Sequence, residues 1–297
     1  MEDITKKLNI KFLRNEPLSN FTYTKTGGCA DLVAFPEALE DVSAISKYAS
    51  QNNVPLTVIG NASNLIIKDG GIRGIVMILR DIKQIRQINE FSFVAGAGSA
   101  YIDATIFAQK HSLSGLEFAA GIPGSVGGAV YMNAGAYGGE TSEVIESVKV
   151  IDENGSIKDL SNQEINFGYR HSVIQDKNYI VLSATFTLNK DDANLIQARM
   201  DYFNALRFSK QPLDLPSCGS VFKRPVGHFA GKLIHDAGLQ GFQDGGAQVS
   251  TKHAGFIVNV NHATATDYLN VIKHVQDKVY QDNKIHLETE VKIIGED

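Results

Sequence analysis

Pro55-Leu56-Thr57-Val58-Ile59-Gly60-Asn61-Ala62-Ser63-Asn64-Leu65-Ile66-Ile67 joins two apolar runs through a short polar turn. The runs are rich in branched side chains and too short for a stable helix, so both read as strands. Upstream, Leu32-Val33-Ala34-Phe35 is a further strand candidate. Leu39, Val42, Ile45 and Ala49 follow at spacings of three and four, which puts them on one face of a helix. Downstream, Ile75-Val76-Met77-Ile78-Leu79 reads as a buried strand. The pattern predicts a strand–helix–strand–turn–strand unit over about residues 20–80, the start of a layered design of helices and sheets. Gly60 permits a tight turn whose successive N–H groups can hold a pyrophosphate, with Ser63 and two asparagines as short hydrogen-bonding partners. An ordinary polar turn has the same composition. No GxxxxGK[ST] loop occurs, and Gly96-Ala97-Gly98-Ser99 has only the first two glycines of the dinucleotide fingerprint.

Beyond this unit, Phe91-Ser92-Phe93-Val94-Ala95 predicts a strand and Ile102–Lys110 a helix. Residues 115–139 are too rich in glycine for a continuous helix and are expected to be irregular. They form either a ligand-wrapping loop or a disordered segment; Ile122, Pro123, Val126, Val130 and Met132 favour the ordered choice. Val144–Ile151 and Tyr179–Leu188 read as strands, with Asp152-Glu153-Asn154-Gly155 as a hairpin turn. Leu195, Met200, Phe203 and Leu206 mark a helix that ends before Pro212, and the prolines of Gln211–Pro216 mark a boundary. A short helix at Leu233–Ala237 and a longer one at Asp267–Tyr280 are followed by a last strand, Ile285–Ile294, whose alternation puts Glu288 and Glu290 on one face.

The chain has 297 residues, long for one domain, with 28 basic and 33 acidic side chains and a net charge of −5. That balance argues against a nucleic-acid partner. Cys29 and Cys218 are the only cysteines and do not form a CxxC pair, which fits reduced thiols. The N-terminus lacks the long apolar stretch of a secretion signal, and no apolar run approaches 20 residues. A cytoplasmic location is expected. The histidines have no zinc-site spacing, and no metal is expected.

Several segments could carry chemistry. Gly121-Ile122-Pro123-Gly124-Ser125-Val126-Gly127-Gly128 lets main chain approach a flat ligand, and Asn133–Gly139 extends it. Tyr169-Arg170 could set a phenol and a guanidinium fork in one pocket, although a surface ion pair is the commoner fate of a single arginine. Ser220, after Gly219, is presented on a tight turn. Glu288 and Glu290 fit a solvated sheet face or a carboxylate aimed into a pocket.

Taken in order, Gly60–Leu65, Gly121–Gly128, Asn133–Ala136, Tyr169-Arg170, Gly219–Phe222 and Leu287–Gly295 resemble one family over nearly the whole chain, the UDP-N-acetylenolpyruvoylglucosamine reductases (MurB). The resemblance implies an α+β chain: an FAD-binding PCMH-type fold, like that of vanillyl-alcohol oxidase, plus a C-terminal α/β substrate-binding domain. It implies flavin-binding subdomains at residues 1–80 and at 81–208 with 285–297, and a substrate-binding domain at 209–284. The implied reaction is NADPH-dependent reduction of UDP-N-acetylglucosamine-enolpyruvate to UDP-N-acetylmuramate during peptidoglycan synthesis, with FAD held non-covalently. Neither a membrane nor an obligate protein partner is implied.

By the same resemblance, Arg170 engages the enolpyruvyl group, Ser220 donates a proton and Glu290 is the active-site acid, with Glu288 the weaker match. Gly60, Asn61, Ala62, Ser63, Asn64 and Leu65 form the pyrophosphate turn; Gly121, Ser125, Gly127, Gly128 and Asn133 form a second flavin-binding stretch. Tyr169, Arg207 and Lys210 are substrate contacts. Arg224 stands where type I members have asparagine. The chain also lacks their tyrosine-bearing loop, so it resembles type II, in which Tyr137 fills the vacated place. A flavin-dependent alcohol or sugar oxidase and a binding protein without catalysis are the alternatives, and the set Arg170, Ser220 and Glu290 weighs against both.

Overall fold

The computed structural model describes residues 2–297. One sheet has four strands in the order Lys11–Pro17, Cys29–Phe35, Ile72–Ile78, Leu56–Ile59. The last two run parallel, with Leu56 opposite Ile75 and Ile59 opposite Ile78. The chain divides into two compact units.

The first unit comprises the residues up to Arg14, Leu32–Asn61 and Gly74–Leu206. Its centre is a five-stranded antiparallel sheet in the order Ile157–Ser161, Ile145–Ile151, Ile180–Thr187, Ser92–Gly96, Ile85–Gln87. Phe93 pairs directly with Phe186, and the two rings stack with centroids 4.8 Å apart. Such a contact adds about 0.5–1.5 kcal/mol beyond the area it buries. Tyr101, on the helix Tyr101–Lys110, is fully buried; its hydroxyl meets Thr141 Oγ1 at 3.0 Å, and burial drives its pKa upward. The predicted hairpin is present: Asp152 Oδ1 accepts the amides of Asn154 and Ser156 at 3.0 and 2.9 Å, and Ile151 faces Ile157.

The second unit comprises Asn15–Asp31, Ala62–Arg73 and Arg207–Asp297. An antiparallel sheet runs Ser217–Ser220, Phe256–Asn259, Ala247–Val249, Gln243–Asp244. The helix Ala265–Asn283 buries Tyr268, Val271, Ile272, Val275 and Val279 in the core of this unit; of the stripe expected from the sequence, Leu269, Ile272, Val275 and Val279, Leu269 is only partly buried. Thr264 caps this helix, accepting the Asp267 amide at 3.1 Å while Asp267 accepts the Thr264 amide at 2.9 Å. A capping box of this kind is worth about 1 kcal/mol.

Two expectations need correction. The final strand is only Lys292–Ile294, paired in parallel with Leu65–Ile67, rather than Ile285–Ile294. Thr289 makes only an isolated antiparallel bridge with Phe222, and the amides of Glu290 and Val291 both turn to Val221 O, at 2.8 and 3.4 Å, where that pairing stops. Residues 115–139 are also not irregular throughout, since Val126–Met132 is helical despite Gly127 and Gly128. Val126, Ala129, Val130 and Met132 are buried, which offsets the glycine penalty of about 1 kcal/mol each. Gly127 is needed there, because a β-carbon on it would lie 3.0 Å from Ala97 Cβ.

Candidate active site

In the first unit, Gly60 and Asn61 meet the glycine loop. Ser125 is buried and caps the helix Val126–Met132, accepting the Gly128 amide at 3.2 Å. A β-carbon on Gly60 would fall 2.2 Å from the same hydroxyl. Asn61 Nδ2 donates to Pro123 O at 2.6 Å. Gly121, Gly124 and Gly127 are partly accessible and Gly128 is exposed, whereas Ser125, Val126, Ala129 and Val130 are buried. The accessible side of this segment is therefore largely bare main chain. Beside it, Ser99 O accepts the Val126 amide at 2.9 Å, while Ser99 Oγ is buried with no hydrogen-bond partner among the described residues. A buried hydroxyl left unpaired costs about 1–3 kcal/mol, and a polar ligand that reached it would remove that cost. The bare peptide surface and the orphaned hydroxyl fit a nucleotide cofactor.

Arg170 lies in the same unit with a left-handed backbone, φ +55°. Its guanidinium sits 4.9 Å from the Tyr169 ring centroid and donates to Asn133 O at 3.3 Å and Gly135 O at 3.1 Å. Asn133, fully buried, is engaged at both ends of its amide: Nδ2 donates to Gly168 O at 3.0 Å and Oδ1 accepts the Ser142 amide at 2.9 Å. Its side chain thus ties the end of the Val126–Met132 helix to the approach to Arg170. Tyr137 stacks on Phe203 with centroids 5.0 Å apart. Ala62, Asn133, Tyr137 and Arg170 all have positive φ, between 43° and 55°. Such backbone costs free energy in residues other than glycine and concentrates at functional sites.

In the second unit, the structure joins Ser220, Glu290 and Asn64. Ser220 ends its strand opposite Phe256. The next peptide, Val221, donates to Gly255 O at 2.9 Å and accepts from Glu290 N at 2.8 Å. Asn64 Nδ2 donates to Glu290 O at 3.3 Å, and Asn64 O accepts the Lys292 amide at 3.1 Å. The C-terminal segment therefore returns to Ser63-Asn64-Leu65. Ala62 is buried, and its carbonyl accepts the Tyr23 amide at 3.4 Å. Glu288 is exposed and pairs with Lys223 Nζ at 3.2 Å, whereas Glu290 is partly buried. Burial, and then the charge of Lys223, lower the pKa of Lys292.

Arg224 lies 3.9 Å over the Phe229 ring and donates from Nε to His228 O at 3.3 Å, turned back onto its own loop. Arg207 Nη1 donates to Gln211 Oε1 at 3.3 Å, and Lys210 is exposed at the end of the helix Ala193–Lys210. Sequence reasoning gave Ser99 no role and counted His253 among histidines that are mostly structural or solvated. Gly96-Ala97-Gly98-Ser99 was the available signal for the first. His253 lies in no recognisable motif.

Comparison with known proteins decides the family. Residues 30–161 match the family model described as an FAD binding domain, and residues 211–294 match the C-terminal domain of UDP-N-acetylenolpyruvoylglucosamine reductase. The reductase of Limosilactobacillus fermentum is 59% identical over 98% of this chain and 97% of its own. That of Listeria welshimeri is 57% identical over the full length of both. The chain belongs to the UDP-N-acetylenolpyruvoylglucosamine reductase family. The crystal structure of the Thermus caldophilus member of this reductase family superposes with a TM-score of 0.82 at 30% identity, covering 96% of this chain and 98% of that one. The fold is accordingly that of the reductase family, an α+β flavin-binding part followed by a C-terminal domain, as the sequence led one to expect. FAD is the cofactor that the flavin-binding part of the reductase family holds. No helix among the described residues is long and apolar enough to cross a membrane.

Proposed function

We propose that this chain reduces the enolpyruvyl ether of UDP-N-acetylglucosamine to the lactyl ether of UDP-N-acetylmuramate, a step of peptidoglycan precursor synthesis, with NADPH as reductant. The observation that carries the reading is the fastening of Ser220 and Glu290 to one peptide, Val221, in a chain that belongs to the reductase family. Placement in the cytoplasm is part of the proposal and agrees with two free cysteines, of which the buried Cys218 thiol is pushed up to about 12.

FAD, when bound, supplies the redox chemistry, passing reducing equivalents from NADPH to the carbon–carbon double bond. The turn Gly60–Leu65, the loop Gly121–Gly128 and the Ser99 hydroxyl would hold it. Arg170 offsets the negative charge that grows on the enolpyruvyl carboxylate and its neighbouring carbon, and its two bonds to main-chain carbonyls preset the guanidinium for that task. Ser220 delivers the proton to C2. An alcohol is a weak acid, so the transfer works because the carbanion-like carbon is a far stronger base. Glu290 fixes the substrate carboxylate or a water beside Ser220. Lys210 and Arg207 neutralise the diphosphate, with Tyr137, Tyr169 and Arg224 as further substrate contacts. In this division residues 1–80 and 81–208 with 285–297 serve the flavin, and 209–284 serve the substrate.

An anaerobic titration tests the proposal. The flavin spectrum should bleach with NADPH and return on adding UDP-N-acetylglucosamine-enolpyruvate, with UDP-N-acetylmuramate formed in equal amount. Flavin that stays reduced after the second addition would overturn it.

A further inference from the structure

Ser220 depends on more than its own strand for its position. Gly255 O accepts the Val221 amide at 2.9 Å, and Val221 O accepts the Glu290 amide at 2.8 Å. The same Gly255 peptide segment is fastened at its amide: Gly255 N donates to His253 Nδ1 at 3.1 Å. The His253 ring is held edge-on to Phe256, centroids 4.9 Å apart, and Phe256 is the residue opposite Ser220. A β-carbon on Gly255 would touch His253 Nδ1 at 3.3 Å and Ser220 Oγ at 3.4 Å, so imidazole and hydroxyl flank the same bare α-carbon. Since Nδ1 accepts a hydrogen bond, a neutral ring carries its proton on Nε2.

We propose that His253 is a positioning residue for proton delivery, setting Ser220 and Glu290 through the hydrogen-bonded peptides of Gly255 and Val221. The inference rests on the function proposed above. The interaction that matters is the acceptor at Nδ1, and it specifies which substitutions succeed. Asparagine places Oδ1 where Nδ1 stands and accepts from the amide two residues on, as in an Asx turn. Glutamine carries its oxygen further out, and leucine has no acceptor. A displacement near 1 Å at a reacting group costs about 10²-fold in rate.

The test uses the FAD-loaded enzyme with His253→Asn, His253→Gln and His253→Leu. Two rates are read by stopped flow, flavin reduction by NADPH and reoxidation by UDP-N-acetylglucosamine-enolpyruvate, together with amide hydrogen exchange at Gly255 and Val221. The glutamine and leucine variants should keep the first rate and lose about 10²-fold in the second, with faster exchange at both amides; the asparagine variant should restore rate and protection together. Equal losses in both half-reactions, or asparagine no better than leucine, would reduce His253 to a structural residue and overturn the proposal. Wild-type enzyme that is not reoxidised overturns the function and this role with it. A wild type that turns over beside glutamine and leucine variants of equal rate overturns this role alone.

Discussion

Gly60 and Ser125 compete for one volume: a β-carbon on Gly60 would lie 2.2 Å from Ser125 Oγ, the atom that caps the helix Val126–Met132. Gly60→Ala should therefore displace the cap and lower flavin retention. Ser125→Ala alone should cost about 1 kcal/mol through loss of the cap. In the double variant the clash has lost its nearest partner, so the combined loss should be smaller than the sum of the single losses. Thermal melts and bound-flavin fluorescence on the four proteins check this. Strict additivity would show that the turn and the loop do not press on one another.

Ser220→Ala removes the proposed proton donor and leaves its strand pairing with Phe256 and the hydrogen bonds of the neighbouring Val221 in place. Flavin reduction by NADPH should stay within about twofold, while reoxidation by the enolpyruvyl substrate should fall by about 10²–10⁴-fold, the usual worth of a positioned acid. Stopped-flow absorbance separates the halves. Reoxidation at the wild-type rate would move the donor elsewhere.

Arg170→Lys keeps the charge and loses the fork. The guanidinium serves two carbonyls, of Asn133 and Gly135, while lying over Tyr169. An ammonium cannot reproduce that planar arrangement. Stability should fall by about 1–2 kcal/mol, one modest hydrogen bond or two, and kcat by about 10²-fold. Denaturant unfolding and steady-state kinetics report the two effects separately. A lysine variant with wild-type kcat would show that Arg170 acts as a simple cation.

How far these features were legible in the sequence differs by element. Long periodic segments were readable, because Ile272, Val275 and Val279 recur at helical spacing and bury together. The glycine loop was located but its helix was missed: local propensity counts Gly127 against a helix, and only the close approach to Ala97 explains it. Alternation suggested a strand at Glu288 and Glu290, yet that stretch pairs only through an isolated antiparallel bridge, Thr289 opposite Phe222, with a segment far away in sequence. Ser220 and Arg170 were singled out through ordered motifs rather than local chemistry. His253 left no mark, since its contribution is an acceptor atom for an amide two residues away. That relation appears only once Gly255, Val221 and Glu290 have been brought together by folding.

The same histidine gives a pH dependence whose sign follows from its surroundings. Burial, and secondarily the positive charge of Lys210, lower the His253 pKa below its ordinary value. The unfolded chain then binds a proton at about pH 6.5, before the native ring does. Between those two values the unfolded state holds more protons, so stability decreases as pH falls through that window and is unaffected by this group above it. Urea melts between about pH 5 and 8 should show this slope, and His253→Asn should flatten it. Lys210→Gln removes the repelling charge, raises the native pKa and narrows the window. A slope unchanged in His253→Asn would assign the acid sensitivity to other groups. Activity should follow the same direction, because a protonated Nδ1 can no longer accept the Gly255 amide. Reoxidation of reduced flavin should slow on acidification in the wild type and lose that acid limb in the asparagine variant.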